Sequence, residues 1–559
     1  MKRINHFQNA ASKSVLLLTL GFLCLLSSPT NAAEKSFPLT LRSRYESQAG
    51  SRKFHIVYKK EHWNAKQTAV IVCDMWDLHH CLNASRRVGE LAPRINQFLK
   101  LARQQGATII HSPSSCMKFY ENHPARKNAQ NIPKAANMPA KIGSWCHIIP
   151  AEEKGVYPID QSDGGLDDDL KEFESWQKVL KSIGRNPGAP WKRENELLEI
   201  KDADFISDIG QEVWSILEHR GIKNVLLVGV HTNMCVLGRP FGLRQMVKNG
   251  KNVALVRDLT DTMYNPKMKP FVSHFTGTDL IVEHIEKWIC PTVTSNQFLG
   301  GVPFRFRNDR RKRLVIISAE REYKTERSLP KFALKNLGDD FRVDILYADE
   351  NDRYSIPGIE ILNKADVLLL SVRRRVLPKD QMKIIHRFVE SGKPVVGIRT
   401  SCHAFSLRGR RPPKGYIAWE KFDAEIIGGH YTDHHGNGPE VTVRAAADGR
   451  QHPILSEIDP KKLHGHGSLY RVSPLAKSAI PLLIGKREGK PEEPIAWVNL
   501  TRYGGRVFYT SLGHIDDFKQ PAFNRLLKNA LLWSVHRLEK KSATVDTSTA
   551  ATQKTGGTP

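Results

Sequence analysis

The chain has 559 residues, a formal net charge of +26, 40% hydrophobic residues and 25% charged residues. This length exceeds one hydrophobic core and bounds the chain at three or four domains, with a composition ordinary for globular proteins. The positive excess would suit a polyanion, but Lys and Arg are scattered through both halves and no nucleic-acid motif accompanies them. The charge is therefore read as a matter of solubility and loose association, with no nucleic-acid partner.

At the N-terminus, Lys2, Arg3 and Lys13 flank an apolar run from Val15 to Leu26, and Ser27, Ser28, Pro29 and Ala32 follow. This pattern predicts a cleaved secretory leader over 1–32, too short to span a bilayer, and hence an exported, periplasmic or secreted protein without stable membrane insertion. Seven cysteines lie beyond it, at 73, 81, 116, 146, 235, 290 and 402. An odd number leaves at least one free or paired between chains, and the spacing shows neither a disulfide framework nor a CxxC zinc pattern.

The remainder alternates strand and helix patterns in two halves, which predicts α/β architecture with two doubly wound domains. In the first, over 60–290, strands are expected at Thr68–Cys73, Ala107–His111, Leu197–Ile200, Val225–Val230 and Asn252–Arg257. Helices are expected over Arg87–Gln105, Asp208–Arg220 and Val236–Lys248. The Pro-, Gly- and Lys-rich stretch between His111 and Leu197 is long for a loop in a compact domain, and it is read as a cover over a site or a surface insertion. Residues 291–312 read as a linker. The second half, 313–540, restarts with strands at Leu314–Ser318, Phe341–Leu346, Val367–Leu370, Pro394–Ile398 and Gly505–Thr510, and helices over Asp380–Glu390 and Ala522–Leu538. A Thr-, Ser- and Ala-rich tail over 541–559 is expected to be disordered.

Chemistry concentrates first where buried strands end in polar residues. Val225–Val230 runs into His231-Thr-Asn-Met-Cys235, with a helix expected at or just after the cysteine. Peptide amides at a helix start lower a thiol pKa and can hold a developing oxyanion. Asp74 ends another strand at the carboxyl edge, where open α/β sheets place ligands, and a carboxylate there can take a thiol proton and return it to a leaving amine. Lys201, or alternatively Lys192, would supply a balancing ammonium. His79, His80 and Cys81, with His111, raise the question of a metal. Adjacent histidines on a short loop rarely converge on one ion, so neither metal nor cofactor is expected.

The segments Val70-Ile-Val-Cys-Asp-Met75, Ile200-Lys-Asp-Ala-Asp-Phe205 and Gly229-Val-His-Thr-Asn-Met-Cys-Val236 resemble the isochorismatase/nicotinamidase-like cysteine hydrolases over roughly residues 65–290. The resemblance implies Asp74 as general base and acid, Cys235 as nucleophile and Lys201 as third member. It also implies an oxyanion turn at Val230, His231 and Met234, with a cis bond between Val230 and His231. It further implies hydrolysis of a C–N bond in a small amide or ureido compound through a thioester.

In the second half, Val395-Val-Gly-Ile-Arg-Thr-Ser-Cys-His-Ala-Phe405, Gly428-Gly-His-Tyr-Thr-Asp-His-His-Gly-Asn-Gly438, Gln451-His-Pro-Ile454 and Tyr509-Thr-Ser-Leu-Gly-His514 resemble the trehalose-utilisation (ThuA-like) family. This implies a flavodoxin or glutamine-amidotransferase-like sheet and a sugar-related ligand. Candidate residues are Arg399, His403, His430, His434 and His514, with His435 beside them. Cys402 falls beyond the strand-end elbow, which lies nearer Arg399 or Thr400, and so is discounted as a nucleophile. The implied partners are a small-molecule amide, a sugar for the second domain and a second copy of the chain. The alternative reading makes the second domain the carbohydrate-active or glycan-binding part and the first domain non-catalytic.

Overall fold

A computed structural model describes residues 35–436 and 440–539. The expected leader (1–32) and tail (541–559) lie outside the described residues. Among the described residues no helix is long and apolar enough to cross a membrane.

The first sheet has eight strands: β1 (Ser36–Glu46), β2 (Phe54–Asn64), β3 (Thr68–Cys73), β4 (Thr108–Ser112), β5 (Phe205–Ile206), β6 (Asn224–Val230), β7 (Asn252–Asp261) and β8 (Thr292–Val293). Their spatial order is β2-β1-β8-β7-β6-β3-β4-β5. From β8 to β5 all neighbours are parallel, and β1 and β2 add an antiparallel hairpin at one edge. β3 and β6 are fully buried apolar runs, as strands covered by helices on both faces must be. The chain order reverses between β3 and β6, which opens a crevice beyond their carboxyl ends. The two strands approach closely there: Gly229 has φ 107°, and a Cβ on it would meet the Cys73 carbonyl oxygen at 2.0 Å.

Three features depart from the sequence expectation. The hairpin β1–β2 begins the domain well before residue 60; its buried Phe37, Leu39 and Leu41 alternate with more exposed residues. Leu197–Ile200 is not a strand: Asn195 and Leu198 are held by turn-type hydrogen bonds, and the edge strand comes later as the short β5. Within 291–312, Thr292–Val293 is β8, so the supposed linker supplies an interior strand of the sheet. The long stretch after His111 is built into the domain. It contains the helices Pro124–Asn131 and Leu170–Ser182, and Glu152 within it bonds the buried Arg244 at 2.7 Å and His284 at 2.9 Å. Against the upward push of burial, His284 and Arg244 hold the Glu152 carboxyl down at about 2.

The second sheet has nine strands. Five parallel ones run in the order 341–347, 312–319, 367–372, 395–398 and 506–510. Antiparallel strands at 493–500, 480–486, 441–445 and 464–465 follow. Helices Thr325–Asn336, Lys379–Glu390 and Pro521–Ser534 cover it. The molecule is therefore α/β with two large sheets, each containing a run of parallel strands, and two small two-stranded antiparallel sheets.

A buried chain of ion pairs crosses from one sheet to the other. Arg42 and Arg44 on β1 bind Glu286 at 2.7 and 3.1 Å, and Arg44 reaches Asp344 of the second sheet at 3.4 Å. Lys53, just before β2, binds Glu350 at 2.6 Å, and Ile56 on β2 is buried in the core of the second domain.

Candidate active site

Asp74 directly follows β3 and Cys235 follows the adjacent β6, so the crevice brings both side chains together. The Asp74 backbone takes a left-handed conformation, φ 46°, and its carboxylate is fully buried. One carboxylate oxygen accepts from the Ser114 amide at 2.7 Å, and the other accepts from Arg239 Nε at 3.2 Å. The Cys235 thiol lies beside the Asp74 carboxyl and the Arg239 guanidinium, whose charges act on it in opposite directions.

Burial, then the charge of Asp74, pushes the Cys235 thiol well above its ordinary range, with Arg239 opposing. Burial also raises Asp74, against the pull of Arg239, the thiol and Ser114. Both shifts favour the protonated forms, so the resting sulfur is a thiol and its ionisation is coupled to proton transfer to Asp74.

The turn is a single wide helical turn, Thr232–Val236, and the Val230–His231 bond is cis. The amides of Met234 and Val236 both donate to the His231 carbonyl, at 3.0 and 3.1 Å. The Met234 amide, expected in the oxyanion turn, is therefore already engaged. Thr232 and Thr260 hydroxyls meet at 2.7 Å and tie the turn to β7.

Lys201 is not brought to this pair. Its side chain is half exposed and its ammonium pairs with Glu199. Lys192 is exposed, with its amide bonded to Asp77. The cation on Asp74 is Arg239, four residues past the nucleophile position, where one further helical turn returns a side chain to the same face. Its guanidinium also lies 5.2 Å from the Trp145 ring, on the long stretch after His111. The i, i+4 spacing from Cys235 was the available signal for it.

An aromatic wall adjoins Asp74. Trp76 stacks on Trp191 at 4.6 Å, and His79 lies 4.9 Å from His231 and 4.0 Å from His80. His79 Nδ1 accepts the Cys81 amide at 3.1 Å. Burial drives His231 down to about 3 and His79 well below its usual range, so both rings are neutral. His111 is held elsewhere, by Glu194 at 2.7 Å, and is raised to about 9: Glu194 and Asp204 outweigh burial. Cys81, Asp167 and Asp168 lie close enough to share an ion. Asp168 already caps the helix start at Leu82 and Asn83, and Asp167 is paired with Arg87 and His274. All seven described cysteines are free.

In the second domain, Arg399 occupies the elbow after the strand Val395–Ile398, with φ 48°. Its buried guanidinium donates to Ser468 O, Ser511 O and Tyr323 Oη at 2.6–3.1 Å, and it lies over the Tyr323 and Tyr470 rings. His403 and His514 join this cluster: His403 lies 6.0 Å from Tyr470, and His514 lies 5.8 Å from Tyr323. His430 pairs with Asp423 at 2.7 Å on a largely exposed side chain, and His434 is exposed, so neither is gathered with Arg399. The Cys402 thiol is buried, pushed up to about 12 by burial, and contacts His403 Nδ1 at 3.3 Å. Sequence reading missed His466. Its Nδ1 bonds the buried Asp517 at 2.8 Å, and its ring stacks with that of His514 at 6.3 Å. The His464-Gly-His-Gly467 run was its signal.

The trehalose-utilisation (ThuA) family model matches residues 312–534. No curated protein matches the chain. Among solved structures, a ThuA-like protein from Bacteroides uniformis is similar at 21% identity, covering 43% of this chain and 97% of its own, with a TM-score of 0.32. A cysteine hydrolase from Pseudomonas syringae pv. phaseolicola is similar at 17% identity, covering 42% of this chain and 91% of its own, with a TM-score of 0.26. An isochorismatase from Pseudomonas putida is similar at 12% identity with the same coverages and a TM-score of 0.25. The C-terminal half, residues 312–534, is thus matched by the ThuA family, as its motifs led us to expect.

Proposed function

We propose that the protein is an exported hydrolase that cleaves a C–N bond of a small amide or ureido compound, with Cys235 as nucleophile. The observation that carries this reading is the buried Asp74 carboxylate held between the Cys235 thiol and Arg239. In the proposed reaction, Sγ bonds to the carbonyl carbon while its proton passes to Asp74. The tetrahedral intermediate collapses, the C–N bond breaks, and Asp74 returns the proton to the departing nitrogen. Water, deprotonated by Asp74, then attacks the thioester and releases the acid and the thiol. Arg239 favours the ionised form of Asp74, ready to take the proton before the first transfer and again once the second has returned it, the balancing charge first assigned to Lys201.

The test is ammonia release from a panel of primary amides and ureido compounds by the full chain, together with labelling by iodoacetamide. Turnover and substrate-protected alkylation at Cys235 are expected; neither turnover nor alkylation at that thiol would overturn the reading. A second reading, sugar chemistry in the second domain, draws on the Arg399, His466 and Asp517 cluster at the carboxyl ends of its parallel strands. Sugar-induced Tm shifts without any amide turnover would favour it.

Arg239 makes a separate prediction. Its charge holds Asp74 down, so Arg239→Met should raise the Asp74 pKa and move the acid limb of kcat/KM to higher pH. An unmoved limb in a pH–rate profile would remove Arg239 from this role.

A further inference from the structure

A cavity of about 100 Å³ lies in the seam between the two domains. Six cationic side chains line it, Arg257, Arg305, Arg311, Arg313, Arg342 and Lys364, against three carboxylates, Asp258, Asp279 and Asp309. The carboxylates are already committed. Asp279 takes Arg311 at 3.0 Å and Arg342 at 2.9 Å, and Asp309 takes Arg311 and Arg305 at 2.8 and 3.2 Å. Asp258 accepts the amides of Ser295 and Phe304 and the Ser295 hydroxyl. Arg313 turns to Asp344 at 3.3 Å.

Two cations are left without an ion pair among the described residues, one from each domain. Arg257 on β7 donates to the Thr292 hydroxyl at 3.0 Å and meets no carboxylate at ion-pair distance. Lys364 ends the short helical turn Ile359–Lys364 on the opposite wall. Burial and then Arg42 pull Arg257 down to about 9, with Glu286 only partly offsetting; burial and then Arg257 lower Lys364. A concave site that gathers unpaired cations from two domains favours an anion strongly, because partial desolvation strengthens each attraction.

We propose that this seam cavity binds a tetrahedral oxyanion of the phosphate or sulfate class, held between Arg257 of the first domain and Lys364 and Arg342 of the second. Its volume suits one such group with a little water. A guanidinium matches two oxygens of such an ion at once, and the ammonium adds a point charge from the facing wall. Because the ligand bridges both domains, it would lock the seam and stabilise the whole chain by mass action. A free ion and the phosphoryl group of a larger molecule present the same chemistry.

The test is thermal unfolding of the full chain in inorganic phosphate, sulfate or glycerol phosphate, each compared with sodium chloride at matched ionic strength. A saturable Tm rise beyond the chloride control is expected with phosphate and sulfate. A matching rise with glycerol phosphate assigns the site to a phosphoryl group; its absence assigns the site to the free ion. Arg257→Gln and the more exposed Lys364→Gln should each weaken phosphate at least about tenfold. Lys364→Gln should leave the anion-free Tm unchanged or higher, since it removes a charge that nothing pairs. No rise beyond chloride up to about 20 mM phosphate, or an equal rise in wild type and both variants, would overturn the proposal.

Discussion

Cys235→Ala and Asp74→Asn should each lower kcat/KM on the best amide of the panel by roughly 10⁴-fold or more, and the double variant should be no worse than either alone. The reason lies in how the pair titrates. The thiol is pushed up by burial and by Asp74, so the protein holds almost no free thiolate at neutral pH and the sulfur becomes nucleophilic only as Asp74 receives its proton. Removing either partner stops the same step, so the two losses should not add.

Stability should move the other way. The folded-state pKa of Asp74 is raised by burial, so its stabilising contribution is present below the unfolded-state pKa and is lost as pH rises through the folded one. At pH 8 the ionised carboxylate therefore costs stability, and Asp74→Asn should unfold at the same temperature or higher while inactive. Steady-state rates with a thermal melt check both halves. Additive losses in the double variant would mean that thiol and carboxylate act in separate steps.

Glu286→Gln should cost about 3–5 kcal/mol, because it leaves two buried guanidiniums without their shared counter-charge. Arg42 and Arg44 both bind this carboxylate, whose side chain has no solvent exposure, and Thr292 donates to it as well. For a chain of this size the loss corresponds to a Tm drop on the order of 3–5 °C. The pH dependence is specific. Burial would raise Glu286, but Arg42 and Arg44 hold it below the ordinary carboxylate range. Its contribution is thus present above the unfolded-state pKa and is lost as pH falls through the folded one. The gap between wild type and variant should be full at pH 7 and narrow towards acid. A gap that stays constant on acidification would assign the loss to packing instead of charge.

The parallel strands and the Asp74–Cys235 pair were legible because both rest on local pattern: an apolar run ending in a polar residue at a sheet edge. The cation was not. Lys201 follows an apparent strand at 197–200, but the local turns there leave its ammonium to Glu199. Arg239 meets Asp74 from the i, i+4 position to Cys235, a spacing signal that the expectation of a lysine passed over. The hairpin β1–β2 and strand β8 escaped for a different reason. A two-residue strand such as Thr292–Val293 carries no periodicity, and the strands it joins are far away in the chain. In the second domain, His430 and His434 stood out by local density of histidine. Gathering around Arg399 instead follows strand order, which brings Tyr323, Tyr470 and His514 to one edge.

The N-terminal hairpin leaves the sheet it extends and seats Ile56 against Gly358, where a Cβ would come within 2.9 Å. Cutting the gene at residue 312 to make the C-terminal half alone would remove this plug and uncover apolar side chains at its socket. The separated half would then tend to self-associate, and supplying the 36–64 ribbon as a synthetic peptide should restore a monodisperse species.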